Sequence, residues 1–215
     1  INNLSIGAFG LFGYIRPHAV LKNFALVNMK PVLSRSDGVD AFGGLAYIAY
    51  STPTAYPTLE NIYLSSSFFL DDYVITSGKT QGKTQTIISS MVFSATWGYE
   101  QIKNCIFEYT GDVATGGRGI YSGLLQGGKD KITVLDSFVI GKNPVVQTKS
   151  NDVYDSANNI TEGSGATVYP LTRYSDYAGL TANVTDFSSF DTAYWDISNG
   201  APVFKGAQKY LSKPY

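Results

Sequence analysis

Apolar and polar positions follow one block along this chain, and the block returns four times: an apolar residue, two polar residues, then a second apolar run. The copies are Leu21-Lys22-Asn23-Phe24-Ala25-Leu26, Leu59-Glu60-Asn61-Ile62-Tyr63-Leu64, Ile102-Lys103-Asn104-Cys105-Ile106-Phe107 and Leu135-Asp136-Ser137-Phe138-Val139-Ile140. They start 38, 43 and 33 residues apart, which is the length of one turn in a stacked repeat protein. A second apolar series keeps step with the first. It begins eleven to fifteen residues ahead of each copy, at Gly10-Leu11-Phe12-Gly13, Gly44-Leu45-Ala46-Tyr47, Met91-Val92-Phe93 and Gly123-Leu124-Leu125. Each turn therefore has at least two strand faces.

Asparagine holds one phase of the block in three copies, Asn23, Asn61 and Asn104, and Ser137 takes that place in the fourth. In a stack these side chains lie one above another, and a buried amide can donate to one turn while accepting from the next. The expectation is a structural ladder of Asn23, Asn61, Asn104 and Ser137. A charged series, Lys22, Glu60, Lys103 and Asp136, alternates in sign and suits an outward charge ladder. No long window returns at helical spacing, and Leu180 to Phe190 is the best short helical stretch. A β-sandwich also has short strands at regular intervals, but recurrence of the same residues at repeat length favours an all-β solenoid.

In the first turn the pattern predicts strands at Leu4 to Ile6, Leu11 to Ile15 and Val20 to Val27, closed by Pro31. Tyr50 to Pro57 is an insertion in the second turn, and its two prolines, Pro53 and Pro57, forbid a central strand; it reads as a projecting loop. Residues 1–149 carry the repeats. Residues 150–215 read as a polar connection and a capping segment of the same domain, because an open stack presents unpaired strand edges.

The 215 residues include 16 Lys and Arg against 17 Asp and Glu, for a net charge of -1, and 44% are hydrophobic. The basic residues are scattered, which excludes the clustered cationic surface that nucleic acid or anionic lipid requires. No run reaches the roughly eighteen apolar residues of a membrane span, and no secretion signal opens the chain. A first residue of Ile1 predicts a processed product or an excised piece of something longer. The lone Cys105 cannot form an intramolecular disulfide and is expected to be packed.

Gly10-Leu11-Phe12-Gly13 followed by Val20-Leu21-Lys22-Asn23-Phe24-Ala25-Leu26-Val27 resembles the GLUG-motif repeat of large secreted and surface-attached bacterial proteins. Ile1-Asn2-Asn3-Leu4-Ser5-Ile6 is similar to the strand that precedes the motif. Tyr194-Trp195-Asp196-Ile197 and Gly200-Ala201-Pro202-Val203-Phe204 are similar to the segment that closes such arrays. The second glycine is missing from the later copies. The resemblance implies a single right-handed parallel β-helix, here of about four turns with an irregular C-terminal cap. It also implies a place outside the cell, on a bacterial surface or a phage particle, and it supplies no catalytic residues.

The chemistry-bearing residues are sparse. His18 follows Pro17 in a turn, with no second histidine, so neither a zinc site nor a Ser-His-Asp triad is expected. Gly78-Lys79-Thr80 and Gly82-Lys83-Thr84 lack the glycine five positions earlier that a phosphate-binding loop needs. Asp71, Asp72, Asp112, Asp130 and Asp136 are the acids open to a polysaccharide lyase or glycoside hydrolase, which is the alternative reading. The aromatic signal is better. Tyr47, Tyr50, Tyr56 and Tyr63 gather in the second turn and its insertion, and Tyr73, Trp97 and Tyr99 belong to the next; such rings suit sugars and protein partners. The expectation is a non-catalytic structural or adhesive module with no cofactor and no metal. It binds a cell-surface glycan or protein through Tyr47, Tyr50, Tyr56 and Tyr63, and a phage-borne module leaves room for a homo-oligomer.

Overall fold

The computed structural model describes residues 1–6, 10–31, 41–66, 73–74, 84–85, 88–96, 99–110, 133–141 and 171–207. These residues are mostly short strands with one short helix, and the repeat blocks form a parallel sheet curled into a half-barrel. Val20–Leu26 pairs with Thr58–Ser66, which pairs in turn with Gln101–Lys103 and Ile106–Tyr109. Those strands pair onward with Thr133–Leu135 and Phe138–Ile140. A second parallel set, Tyr14–Ile15, Ala46–Ala49 and Phe93–Thr96, follows the same chain order.

The glycine-led series stacks as its spacing predicts. The Leu11 amide donates to the Gly44 carbonyl at 3.2 Å and the Leu45 amide to the Met91 carbonyl at 3.1 Å. A Cβ on Gly44 would lie 2.4 Å from the Met91 carbonyl oxygen, so this close approach of neighbouring backbones requires glycine. The fourth member, Gly123-Leu124-Leu125, lies outside the described residues.

A corner interrupts each repeat strand. Asn23, Asn61, Asn104 and Asp136 have φ of 63°, 51°, 51° and 45°, the left-handed region in which asparagine and aspartate are the best tolerated residues after glycine. The corner explains the polar pair in the repeated block. Extended residues alternate faces, yet Leu59 and Ile62, three positions apart, both belong to the interior cluster. The left-handed residue between them resets the alternation, after which Leu64 points inward and Tyr63 outward.

Register corrects the fourth copy by one position. Lys103 faces Leu135 and Ile106 faces Phe138, so Asn104 stands level with Asp136, and Ser137 stands level with Cys105. Ser137 is therefore not a member of the asparagine column. It is a buried inward residue whose hydroxyl donates to the Leu135 carbonyl at 2.9 Å and accepts from the Cys105 amide at 3.0 Å. The outward charged series accordingly reads Lys22, Glu60, Lys103 and then Leu135, which is 44% exposed. Apolarity drew the alignment onto Leu135, whereas the inward residue of that strand is Val134. The Lys103–Glu60 pair, at 3.3 Å, lies on the surface and contributes about 0–1 kcal/mol.

The asparagine column is stacked, but its amides do not form one continuous chain. Asn61 Nδ2 donates to Asn23 Oδ1 at 3.2 Å. Asn23 Nδ2 donates instead to the Tyr194 hydroxyl at 2.8 Å, and Asn104 Nδ2 to the Ser189 carbonyl at 2.8 Å. Both outer amides thus fasten the C-terminal segment to the corner of the sheet. The Asn61 and Asn104 Oδ1 atoms are buried without a hydrogen-bond partner among the described residues.

That segment does more than close one end. Thr172–Tyr174 adds a strand beside Phe138–Ile140, while the rest packs across the outward face of the sheet. Val27, Tyr63, Ile106, Phe138 and Ile140 share a cluster with Leu180, Phe187, Phe190, Trp195 and Phe204. Trp195 is its centre, fully buried and edge-on to both Phe190 and Phe204 at 5.1 Å. The helix spans Tyr177–Asn183, earlier than Leu180 to Phe190, because Asp176 caps it by accepting from the Gly179 amide at 2.7 Å. Beyond it the chain is held by tight turns. Asp186, Asp191 and Asp196 each accept from the amide two residues on, and the bonds from Ser188 hold the Asp186 carboxyl below its ordinary range.

Asn104→Ala is expected to cost about 1–3 kcal/mol, from the left-handed backbone and the lost bond to Ser189. Asn104→Gly keeps the corner and should recover roughly half of that loss. Equilibrium urea unfolding measures both, and equal losses in the two variants would mean that the corner imposes no backbone demand.

Candidate functional site

On the second parallel set, Tyr14 faces Ile48 and Ile15 faces Ala49. Ile15 and Ala49 are buried, so alternation turns Tyr14 outward, where it is 48% exposed. Its ring meets Tyr47 edge-on at 5.9 Å and lies nearly parallel to Tyr50 at 6.0 Å. The Arg16 guanidinium carbon sits 4.9 Å from the Tyr50 ring centroid, a cation–π contact. Four side chains from two adjacent strands and their ends thus form one strip, with Tyr14 in the middle and a cation at one end.

Two of the four tyrosines expected from sequence, Tyr47 and Tyr50, belong to this strip. Tyr56 does not join it through ring contacts among the described residues; it is 40% exposed at the end of the insertion, where its carbonyl accepts from the His18 amide at 3.2 Å. Tyr63 is corrected outright. It is buried beneath the C-terminal segment, and its hydroxyl donates to Glu108 Oε2 at 2.5 Å. The Tyr177 hydroxyl donates to the same oxygen at 3.2 Å, so Tyr63 belongs to the junction between sheet and helix.

Tyr14 is the residue that sequence reasoning missed, although the pairing of Leu11 with the Gly44–Leu45 turn would have placed it beside Tyr47 and Tyr50. The insertion is compact. Thr52 and Ala55 exchange backbone hydrogen bonds at 2.8 and 3.2 Å, and buried Ser51 accepts from the Tyr99 amide at 3.2 Å. It therefore holds Tyr50 at its root and leaves Pro53 and Thr54 exposed. The ring of Tyr73 and all of Trp97 lie outside the described residues.

The strip is cationic in character. Among the described residues the one ion pair is Lys103–Glu60, and no carboxylate lies within ion-pairing distance of Arg16. His18, exposed with φ 64°, stands in a turn as expected. Among the described residues no three His, Cys, Asp or Glu side chains gather where a metal ion could be held. Asp71, Asp72, Asp112, Asp130 and the two Gly-Lys stretches lie outside the described residues. No helix among the described residues is long and apolar enough to cross a membrane.

No protein-family model, no curated protein and no solved structure matches the chain.

Cys105 faces the interior, fully buried, and burial pushes its thiol up to about 12. The thiolate is the reactive form. Alkylation at pH 8 is therefore expected to be about a thousandfold slower than for an exposed thiol, and to accelerate only with denaturant that opens the sheet. Rapid labelling of the native chain, followed by mass spectrometry, would contradict the buried placement.

Proposed function

We propose that the chain is a non-catalytic binding module, a right-handed parallel β-helix of about four turns that presents an aromatic strip to a saccharide. The successive parallel pairings at repeat-length offsets support the coil. The observation that carries the function is the Tyr47–Tyr14–Tyr50 strip with Arg16 at its end. Flat aromatic faces meet the C–H faces of sugar rings, while tyrosine hydroxyls and a guanidinium serve the hydroxyls around the rim. Strands hold Tyr14 and Tyr47 and the root of the compact insertion holds Tyr50, so little ordering entropy is lost on binding. The likeness of Gly10-Leu11-Phe12-Gly13 to the GLUG-motif repeat supports a setting on a bacterial surface or a virion, where a rigid rod bearing a sugar-binding face serves adhesion.

Tyr14→Ala combined with Tyr50→Ala is expected to weaken binding on a glycan array at least about tenfold, since two stacking faces are lost. Thermal unfolding should shift little, because Tyr14 lies on the outward side of its strand. Normal binding by the double variant would remove the strip from the function. An early unfolding transition would assign both rings to packing instead.

A further inference from the structure

We propose that the strip selects acidic saccharides, chains containing hexuronate, with the sugar ring on Tyr14 and its carboxylate on Arg16. This inference rests on the saccharide reading above and names the class of sugar. Three observations carry it.

The first is how Arg16 is held. Its guanidinium lies over the Tyr50 ring at 4.9 Å. A guanidinium carries five N–H donors, and contact with a ring face leaves donors over for a second partner. Those donors form the fork that takes a carboxylate with two parallel hydrogen bonds.

The second is charge. No carboxylate lies within ion-pairing distance of Arg16 among the described residues, where the one ion pair joins Lys103 to Glu60 on the other sheet. Among the described residues the exposed guanidinium therefore has no partner carboxylate. A neutral sugar would gain less from that cation than an anionic one.

The third is spacing. Tyr14 and Arg16 are two residues apart on an extended stretch, roughly 7 Å along the chain. A hexuronate stacked on Tyr14 carries its carboxylate on the ring carbon next to the ring oxygen. That group projects from the rim of the ring toward the strand's next outward side chain, which is Arg16.

Isothermal titration of the full chain with oligogalacturonate and with its methyl ester tests the assignment. The wild-type protein is expected to bind the acid about tenfold more tightly than the ester, as a charge-assisted fork contact implies. Raising the salt concentration should weaken only the acid. Arg16→Gln should abolish the difference between acid and ester, and Arg16→Lys should restore part of it, since an ammonium keeps the charge without the fork. Thermal unfolding checks that the variants remain folded. Equal affinity for acid and ester, lost in Tyr14→Ala, would overturn the acidic preference while leaving the saccharide reading intact. An acid preference that survives Arg16→Gln would overturn the role of Arg16. Absence of binding to any saccharide would overturn both.

Discussion

A left-handed backbone corner at one phase of each repeat decides where the rest of the chain lies. Asn23, Asn61, Asn104 and Asp136 all adopt positive φ, a conformation most L-residues avoid at roughly 1–2 kcal/mol. Parallel pairing keeps these corners level from strand to strand. Because strand side chains alternate with a period of two, a slip of one residue would exchange the inward and outward faces. The corner prevents that slip, since only asparagine, aspartate or glycine sits comfortably at the bend. The polar pair ahead of each apolar run is the trace of this geometry in the sequence.

Fixed register gives the sheet two apolar faces. Leu59, Leu64, Phe107 and Val139 fill the concave side, while Tyr63, Ile106, Phe138 and Ile140 face the C-terminal segment. A large apolar side chain contributes about 1.5–3 kcal/mol when buried, against about 0–1 kcal/mol for a surface pair such as Lys103–Glu60. Burial on both faces therefore dominates, and the charged series serves solubility and register. The C-terminal segment covers the one face, while Tyr14, Tyr47 and Tyr50 gather on and beside the other set of strands. The same alternation that buries Ile15 and Ala49 turns Tyr14 outward.

Much of this was legible in the chain. The recurrence of Leu-x-Asn or Ile-x-Asn at repeat length located the parallel strands and three of the four corners, and the glycine-led series located the second set. The fourth corner was misread because hydrophobicity cannot distinguish an inward Val134 from an exposed Leu135; Asp136, a residue suited to positive φ, was the better marker than Ser137. The ladder was read as an amide chain, whereas backbone conformation is the common demand and two of the amides reach the C-terminal segment. Tyr63 could not be told from an exposed tyrosine, since its burial depends on Trp195 and its neighbours more than a hundred residues away. The helix began early for a local reason, the Asp176 cap. For the strip, clustering in sequence found Tyr47 and Tyr50, while Tyr14 enters only through pairing between turns.

The most direct measurement of the corner's role compares Asp136→Gly with Ser137→Gly by equilibrium chemical unfolding. The Asp136 side chain is exposed and its backbone already occupies a glycine-like conformation. Its replacement is expected to change stability by no more than about 0.5–1 kcal/mol. Ser137 has no positive φ and is buried, and it supplies the acceptor for the Cys105 amide. Its replacement should cost about 1–3 kcal/mol. The opposite order, with Asp136→Gly costly and Ser137→Gly neutral, would place the corner one residue later and contradict the register.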